Sequence, residues 1–177
     1  MSELRTNRII PRDGLPAGSN GGIIQVVQSV VTSASTGSGG TFATVMSGSI
    51  TPTSASNKIL VMVDATVGSS NGYGTNLNLY RSGTQIYFGD AAGNRPRVSK
   101  TITNYPNEAT TYMMNPVHIT FLDSPGVSGS SITYDVKIAS YQTVSWSFNR
   151  SYQDQEDTTN GEYNGRSASS ITLMEVT

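Results

Sequence analysis

The residues best suited to acid–base chemistry in this chain are twelve carboxylates and one histidine. Asp154, Glu156 and Asp157 form an acidic cluster that offers oxygen ligands to a divalent cation. The run Asp154-Gln155-Glu156-Asp157-Thr158-Thr159-Asn160-Gly161-Glu162 lacks the ligand spacing of a calcium loop, however, and a solvated acidic loop is the ordinary reading. Asp154 with Glu162 is formally the acid and base of a glycan hydrolase, yet a chain with this many carboxylates always offers such pairs, and nothing in the sequence sets two across a cleft. His118, flanked by Val117 and Ile119, reads as a wall or interface histidine before it reads as a general base. No catalytic residue, metal site or cofactor is assigned, and the chain is expected not to be an enzyme.

Other chemistry is removed by composition. Without cysteine there is no thiol nucleophile, disulfide, iron–sulfur cluster or cysteine-bearing zinc site, and a single histidine rules out multi-histidine metal sites within one chain. A formal charge of −1 speaks against a broad nucleic-acid surface, which needs clustered Lys and Arg to displace phosphate counterions. Gly68 to Gly74 is glycine-rich but has no lysine where a phosphate loop needs one. No apolar run approaches the ~20 residues of a membrane span, and the start of the chain lacks the apolar stretch of a signal peptide, so a soluble, unexported product is expected. Without export, the sequon Asn149-Arg150-Ser151 carries no weight.

Binding chemistry is better represented. Tyr73, Tyr105, Tyr112, Tyr141, Tyr152 and Tyr163 fall in or beside turn-rich segments, where flat rings beside Asn, Asp and Gln suit stacking on sugars and suit protein interfaces equally. In Gly89-Asp90-Ala91-Ala92-Gly93-Asn94-Arg95-Pro96-Arg97, small residues fit an exposed loop, and Arg95 and Arg97 are candidates to pair with carboxylates of a neighbouring subunit. Tyr73, Arg95, Arg97, Tyr152 and Tyr163 are therefore the candidate surface-binding residues.

The elements that must position these residues are strands. Ser and Thr make up 46 of the 177 residues and charged residues only 13%, against about 25% in ordinary globular chains. Helix surfaces need more Glu, Lys and Arg than this, whereas Thr, Val, Ile and Tyr fit a pleated, half-wet surface. Strand-like runs separated by turn-rich pieces cover residues 23–31, 42–50, 58–67, 76–81, 84–88, 117–121, 132–138, 144–148 and 171–176, with apolar residues recurring at period two in 58–67, 117–121, 132–138 and 144–148. Residues 58–67 carry apolar side chains on both faces, the mark of a central strand, and Ser82-Gly83 is the two-residue connection of a tight hairpin. Thr32 to Thr41 reads as an exit loop. The expected fold is all-β: a β-sandwich, jelly-roll-like, over residues 23–177, preceded by an extended arm over residues 1–22. Pro11, Pro16 and several glycines oppose helix in that arm. Leu4, Arg5, Arg8, Ile9, Ile10 and Arg12 equip it either to order against a partner or to end as a frayed terminus. Ordering costs about 1–2 kcal/mol per residue in backbone entropy, which a partner surface would have to supply.

The arm Ser2-Glu3-Leu4-Arg5-Thr6-Asn7-Arg8-Ile9-Ile10-Pro11-Arg12-Asp13-Gly14 resembles the opening of fibre-type virion proteins in tailed phages of marine cyanobacteria. Residues 24–28, 49–63, 89–95 and 169–176 resemble a β-rich domain of the same proteins, so the likeness spans most of the chain. It rests on scaffold and turn signatures rather than catalytic motifs, and it carries over no functional residue. The resemblance implies a non-enzymatic virion component, often a homotrimer, assembled in the host cytoplasm, held to other virion proteins by its arm and displaying its β-domain. Tail fibres usually place a long shaft between anchor and tip, and here the arm runs straight into the domain. The expected roles are therefore a fibre or fibre-tip subunit and a capsid decoration (cement) protein, with a glycan-reading module for host attachment as the alternative function. No nucleic acid and no membrane span are expected among its partners.

Overall fold

The computed structural model describes residues 22–103, 111–154 and 164–177. Eleven strands are present among them: β1 (Ile23–Val31), β2 (Ser35–Ser38), β3 (Ala43–Ile50), β4 (Lys58–Ser69), β5 (Thr75–Arg81), β6 (Thr84–Ile86), β7 (Lys100–Ile102), β8 (Asn115–Asp123), β9 (Ile132–Ser140), β10 (Ser145–Phe148) and β11 (Ser169–Val176). Alternation dictates their sidedness. In β4, Ile59, Val61, Val63, Ala65 and Val67 point into the core while Lys58, Leu60, Met62 and Asp64 point out.

All pairings are antiparallel, and they build two sheets. The first runs β1-β11-β4-β8. Val67 pairs with both β10 and β8, so β10 lies on the edge of β4 away from β8, beyond the end of β11, with β2 outside it. The second sheet runs β3-β9-β5, with β6 and β7 sharing the outer edge of β5. Following the chain, β1 lies in the first sheet, β3 in the second, β4 in the first, β5 in the second, β8 in the first, β9 in the second and β11 in the first. This alternation wraps the sandwich as a jelly roll. The Ser82-Gly83 hairpin forms, with both residues at positive φ (46° and 83°), as a primed two-residue turn requires.

Ile59, Val61, Val63, Leu77, Leu79, Ile119, Tyr134, Val136, Ile138, Phe148, Ile171 and Leu173 fill the space between the sheets. Gly48 on β3 lets the second sheet approach β11 closely, since a Cβ there would lie 3.1 Å from Ile171 Cγ2.

Three buried polar knots tie the layers. The Glu175 carboxylate of β11 accepts from the Thr53 amide and hydroxyl (both 2.7 Å), Asn57 Nδ2 (2.7 Å) and Gln25 Nε2 (2.6 Å). Burial pushes this carboxyl up, but the hydrogen bonds from Asn57, Gln25 and Thr53 outweigh it and hold it at about 2. Both carboxylate oxygens of Asp123 on β8 accept from Arg81 Nη1 (2.8 and 2.9 Å), and Oδ2 also accepts from the Tyr134 hydroxyl (2.7 Å), linking the two sheets. Burial, then the Asp123 hydrogen bond and charge, drive the Tyr134 phenol far above its ordinary value. Asn149, in the left-handed region at φ 61°, donates to the Val31 and Ser33 carbonyls (2.7 and 3.2 Å) and accepts from Ser169 Oγ, so its amide bridges the ends of β1, β10 and β11.

Candidate functional site

Strand direction sorts the loops into two groups. β1 leaves Gly22 at one end of the sandwich, where Gly22 and Thr177 exchange backbone and hydroxyl hydrogen bonds. The loops between β3 and β4, β5 and β6, and β8 and β9 lie at that same end. The opposite end carries the β4–β5 and β9–β10 loops and the segment leading from β1 to β3. The twelve residues of β4 separate the two ends by about 40 Å.

Backbone bonds stitch the far-end loops into one surface. Ser70 N donates to Ser145 O (2.9 Å), Tyr141 N to Gly74 O (3.1 Å), Gly39 N to Val144 O (3.2 Å) and Ser140 N to Gly39 O (2.9 Å). Beneath them, Thr75 and Ser140 share a buried hydroxyl–hydroxyl bond of 2.8 Å. On this frame stand two tyrosines that hydrophobicity alone would hide. Tyr73 is 64% exposed and Tyr141 53%, with ring centroids 6.0 Å apart and planes tilted by 52°. Asn71 Oδ1 accepts the Tyr73 amide at 2.7 Å and holds the first ring's backbone. Gln142, at φ 46°, turns the chain directly after the second. Beside Tyr141 opens a cleft of about 430 Å³, lined by Phe42, Asn76, Pro96, Ala139 and Gln142 among others. Its volume falls in the range of small-ligand sites, and aromatic faces beside amide groups are able to stack on and hydrogen-bond to a polyhydroxylated ligand.

The other expected site residues fall elsewhere. Tyr152 is half-buried and lines a second, polar cleft of about 530 Å³ with Thr36, Ser38, Arg150, Gln153 and Asp154. In that cleft Asp154 is clamped between Arg150 and Arg166, the latter at 2.7 and 2.9 Å, so its carboxylate is already neutralised by two guanidinium groups. Among the described residues no group of three or more His, Asp or Glu side chains is placed to hold a metal. Arg97 is exposed, but its guanidinium donates to Gly89 O (2.7 Å) and lies 4.2 Å over the Phe88 ring, closing its own loop. Arg95 is exposed on the same loop. His118 faces outward on β8 and pairs with Asp64 at 3.3 Å. The sequon asparagine, Asn149, is 0% exposed and bonded on both amide atoms, out of reach of glycosylation in the folded chain. Leu4, Arg5, Arg8, Ile9, Ile10, Arg12, Tyr105, Glu156, Asp157, Glu162 and Tyr163 lie outside the described residues.

The pairing of Tyr73 with Tyr141 was not legible in the sequence, where the two lie in separate loops joined only by the fold. No helix among the described residues is long and apolar enough to cross a membrane. No family model matches the chain, and no curated protein matches it.

Proposed function

We propose that the chain is a non-enzymatic structural protein of a tailed-bacteriophage particle, anchored by residues 1–22 and displaying the jelly roll outward as a fibre-type or capsid-decoration subunit. It works as part of the virion, beside other virion proteins and in several copies, three on the resemblance to fibre proteins. A jelly roll hosts many functions, so the fold alone does not choose among them. The observation that carries the reading is polarity: the chain enters the domain at Gly22, and the exposed tyrosines stand at the opposite end. A domain tethered at one end and in contact with its surroundings at the other needs this arrangement. Deleting residues 1–21 is expected to leave a domain with unchanged circular dichroism and cooperative melting that no longer joins the particle. Incorporation at the normal level would overturn the anchoring role.

The Tyr73–Tyr141 pair favours a second reading, in which the far end recognises a host surface glycan. Tyr73→Ala and Tyr141→Ala are each expected to weaken binding to a glycan array by about three- to tenfold, the worth of one aromatic contact. An array without binding, repeated with calcium, would reject this reading and leave the anchoring reading standing.

A further inference from the structure

We infer that the polar cleft between the outer side of β2 and the segment from Arg150 to Asp154 is a binding site for an acidic sugar unit, with Arg150 taking the carboxylate and a row of hydroxyl groups taking the ring. The site is separate from the Tyr73–Tyr141 pair, and it does not rest on the anchoring role.

Alternation builds the floor. Gly37 of β2 faces the buried Trp146 ring, where a Cβ would lie 3.2 Å from Cη2, so Thr36 and Ser38 turn to the opposite, outward side. Register sets Ser145 of β10 across from Ser38 and Ser147 across from Thr36. The Ser147 hydroxyl is occupied within the chain, donating to Arg150 O at 2.9 Å. The side chains of Thr36, Ser38 and Ser145 line the cleft, and their hydroxyl groups have no hydrogen-bond partner among the described residues.

The wall is held from beneath. Gly68 lies opposite Ser147 and has no side chain, which lets the segment after β10 lie close on the sheet: a Cβ at Gly68 would stand 3.0 Å from Arg150 O and 3.1 Å from Tyr152 N. The Arg150 backbone bridges that of Arg166. Ser151, 0% exposed, donates to Asn164 Oδ1 (2.7 Å) and accepts from the Asp154 amide (3.4 Å), while Gln153 N donates to Thr111 O (2.9 Å). The segment that carries Arg150, Tyr152 and Gln153 is therefore fixed before a ligand arrives, which removes the ordering cost from binding.

Charge selects the ligand. Arg166 stands outside the lining, and its Nη2 donates to both Asp154 oxygens (2.7 and 2.9 Å). Arg150 meets Asp154 through Nη1 alone, so its Nε and Nη2 have no acceptor among the described residues. Two guanidinium groups on one carboxylate leave one positive charge over, and the one that lines the cleft is Arg150, its side chain 17% exposed. Unused guanidinium donors in a partly enclosed place suit a planar oxyanion, which they grip through parallel hydrogen bonds. A bare anion would leave the hydroxyl floor, the Tyr152 phenol and the Gln153 amide unused. Ligand hydroxyl groups both donate and accept, and so match all of them. An acid and several hydroxyl groups on one ring describe a sugar acid, for which a cleft of about 530 Å³ has room.

A heteronuclear NMR titration of the full chain tests this with glucuronate, which carries both parts of the ligand, against acetate, the carboxylate alone, and glucose, the hydroxyl groups alone. Glucuronate is expected to bind with a Kd of about 1 mM, at least tenfold tighter than either control, and to move the amide signals of Gly37, Ser145 and Gln153. Arg150→Gln is expected to weaken binding about tenfold and Thr36→Val, on an exposed edge strand where folding is not at stake, about threefold. Asp154→Asn is expected to act in the opposite direction, tightening binding about threefold, because it removes the carboxylate that competes for Arg150. A residue that only shaped the loop would weaken binding when replaced, so a loss in Asp154→Asn with unchanged circular dichroism overturns the charge argument. Acetate bound as tightly as glucuronate overturns the sugar, and glucose bound as tightly overturns the part given to Arg150. An absence of signal shifts at about 50 mM glucuronate overturns the site. Tyr73→Ala with Tyr141→Ala is expected to leave glucuronate binding unchanged; a loss there would place the ligand on the tyrosines and overturn the cleft. None of these results touches the incorporation test, so failure of the cleft and failure of the anchor remain distinguishable.

Discussion

Glu175→Ala is expected to destabilise the domain by about 3 kcal/mol, read as a lower urea midpoint with an unchanged slope. The carboxylate is 0% exposed and collects four hydrogen bonds from three residues in two segments: Gln25 of β1, and Thr53 and Asn57 of the β3–β4 connection. Alanine leaves the buried Asn57 side chain without its carboxylate acceptor and strips two bonds from Thr53, and an unsatisfied buried donor costs more than the bonds themselves contribute in net terms. Glu175→Gln keeps the volume but turns an NH₂ group toward donors, so an intermediate loss is expected. The same site fixes the acid limb of stability. Its carboxyl sits at about 2 in the folded chain against an ordinary 4.5, so between those values the unfolded chain binds the proton and the folded chain does not. Stability from this group is complete above pH 4.5, declines as pH falls, and is lost once pH passes about 2. The alanine variant is expected to show a flatter acid limb over that window; an unchanged limb would mean another carboxylate governs it.

The parts of the fold that were legible in the sequence are those whose side chains alternate. β1 covers the strand-like run 23–31, and β4 is central as its two apolar faces imply, although its outward Met62 is 41% exposed rather than covered. β2 lies within the stretch that reads as an exit loop. Ser-Thr-Gly-Ser has no apolar residue to carry a period, and its place is set by pairing with β10 and by the Trp146 ring lying on Gly37, where a Cβ would be 2.4 Å from Cζ2. Likewise β4 extends past Val67 into Gly68 and Ser69, where hydrophobic alternation has ended and close approach takes over: a Cβ on Gly68 would meet Ser147 Oγ at 2.4 Å and the Arg150 carbonyl at 3.0 Å. β7 is three residues long, too short for any period. The candidate sites were hidden for the same reason. Tyr73 and Tyr141 meet across two loops, and Val26, Met174, Leu60 and Leu122 across strands, and single-strand alternation assigns a side chain to a face without saying what stands beside it.

Those two features give the jelly roll a direction and a side. Gly22 and the Glu175 knot mark one end, the tyrosines the other, the row Val26, Met174, Leu60 and Leu122 one flank and the Ser47–Asp135 and Ser49–Thr133 bonds the other.

Asp123→Ala is expected to be the most damaging single change, at about 3–5 kcal/mol, because it removes the counterion of the Arg81 guanidinium and the acceptor of a fully buried phenol together. Asp123 is the only carboxylate among the described residues that joins the two sheets through side chains, β8 on one side and Arg81 of β5 with Tyr134 of β9 on the other. Asp123→Asn keeps the shape and still accepts from Tyr134, so a smaller loss is expected. Tyr134→Phe removes the buried hydroxyl with its bond and is expected to cost about 1–2 kcal/mol. The double variant Asp123→Ala with Tyr134→Phe is then expected to be less destabilised than the sum of the two single changes, since the orphaned hydroxyl is gone. Additivity within 0.5 kcal/mol would show that the phenol and the carboxylate do not act as a unit. An alkaline titration separates the partners further. The Tyr134 phenol is raised above its ordinary 10 by burial first and Asp123 second, so above pH 10 the unfolded chain releases a proton that the folded chain keeps, and stability falls as pH rises. Tyr134→Phe is expected to flatten that decline while Arg81→Met leaves it in place, assigning the alkaline limb to the phenol and not to the salt bridge beside it.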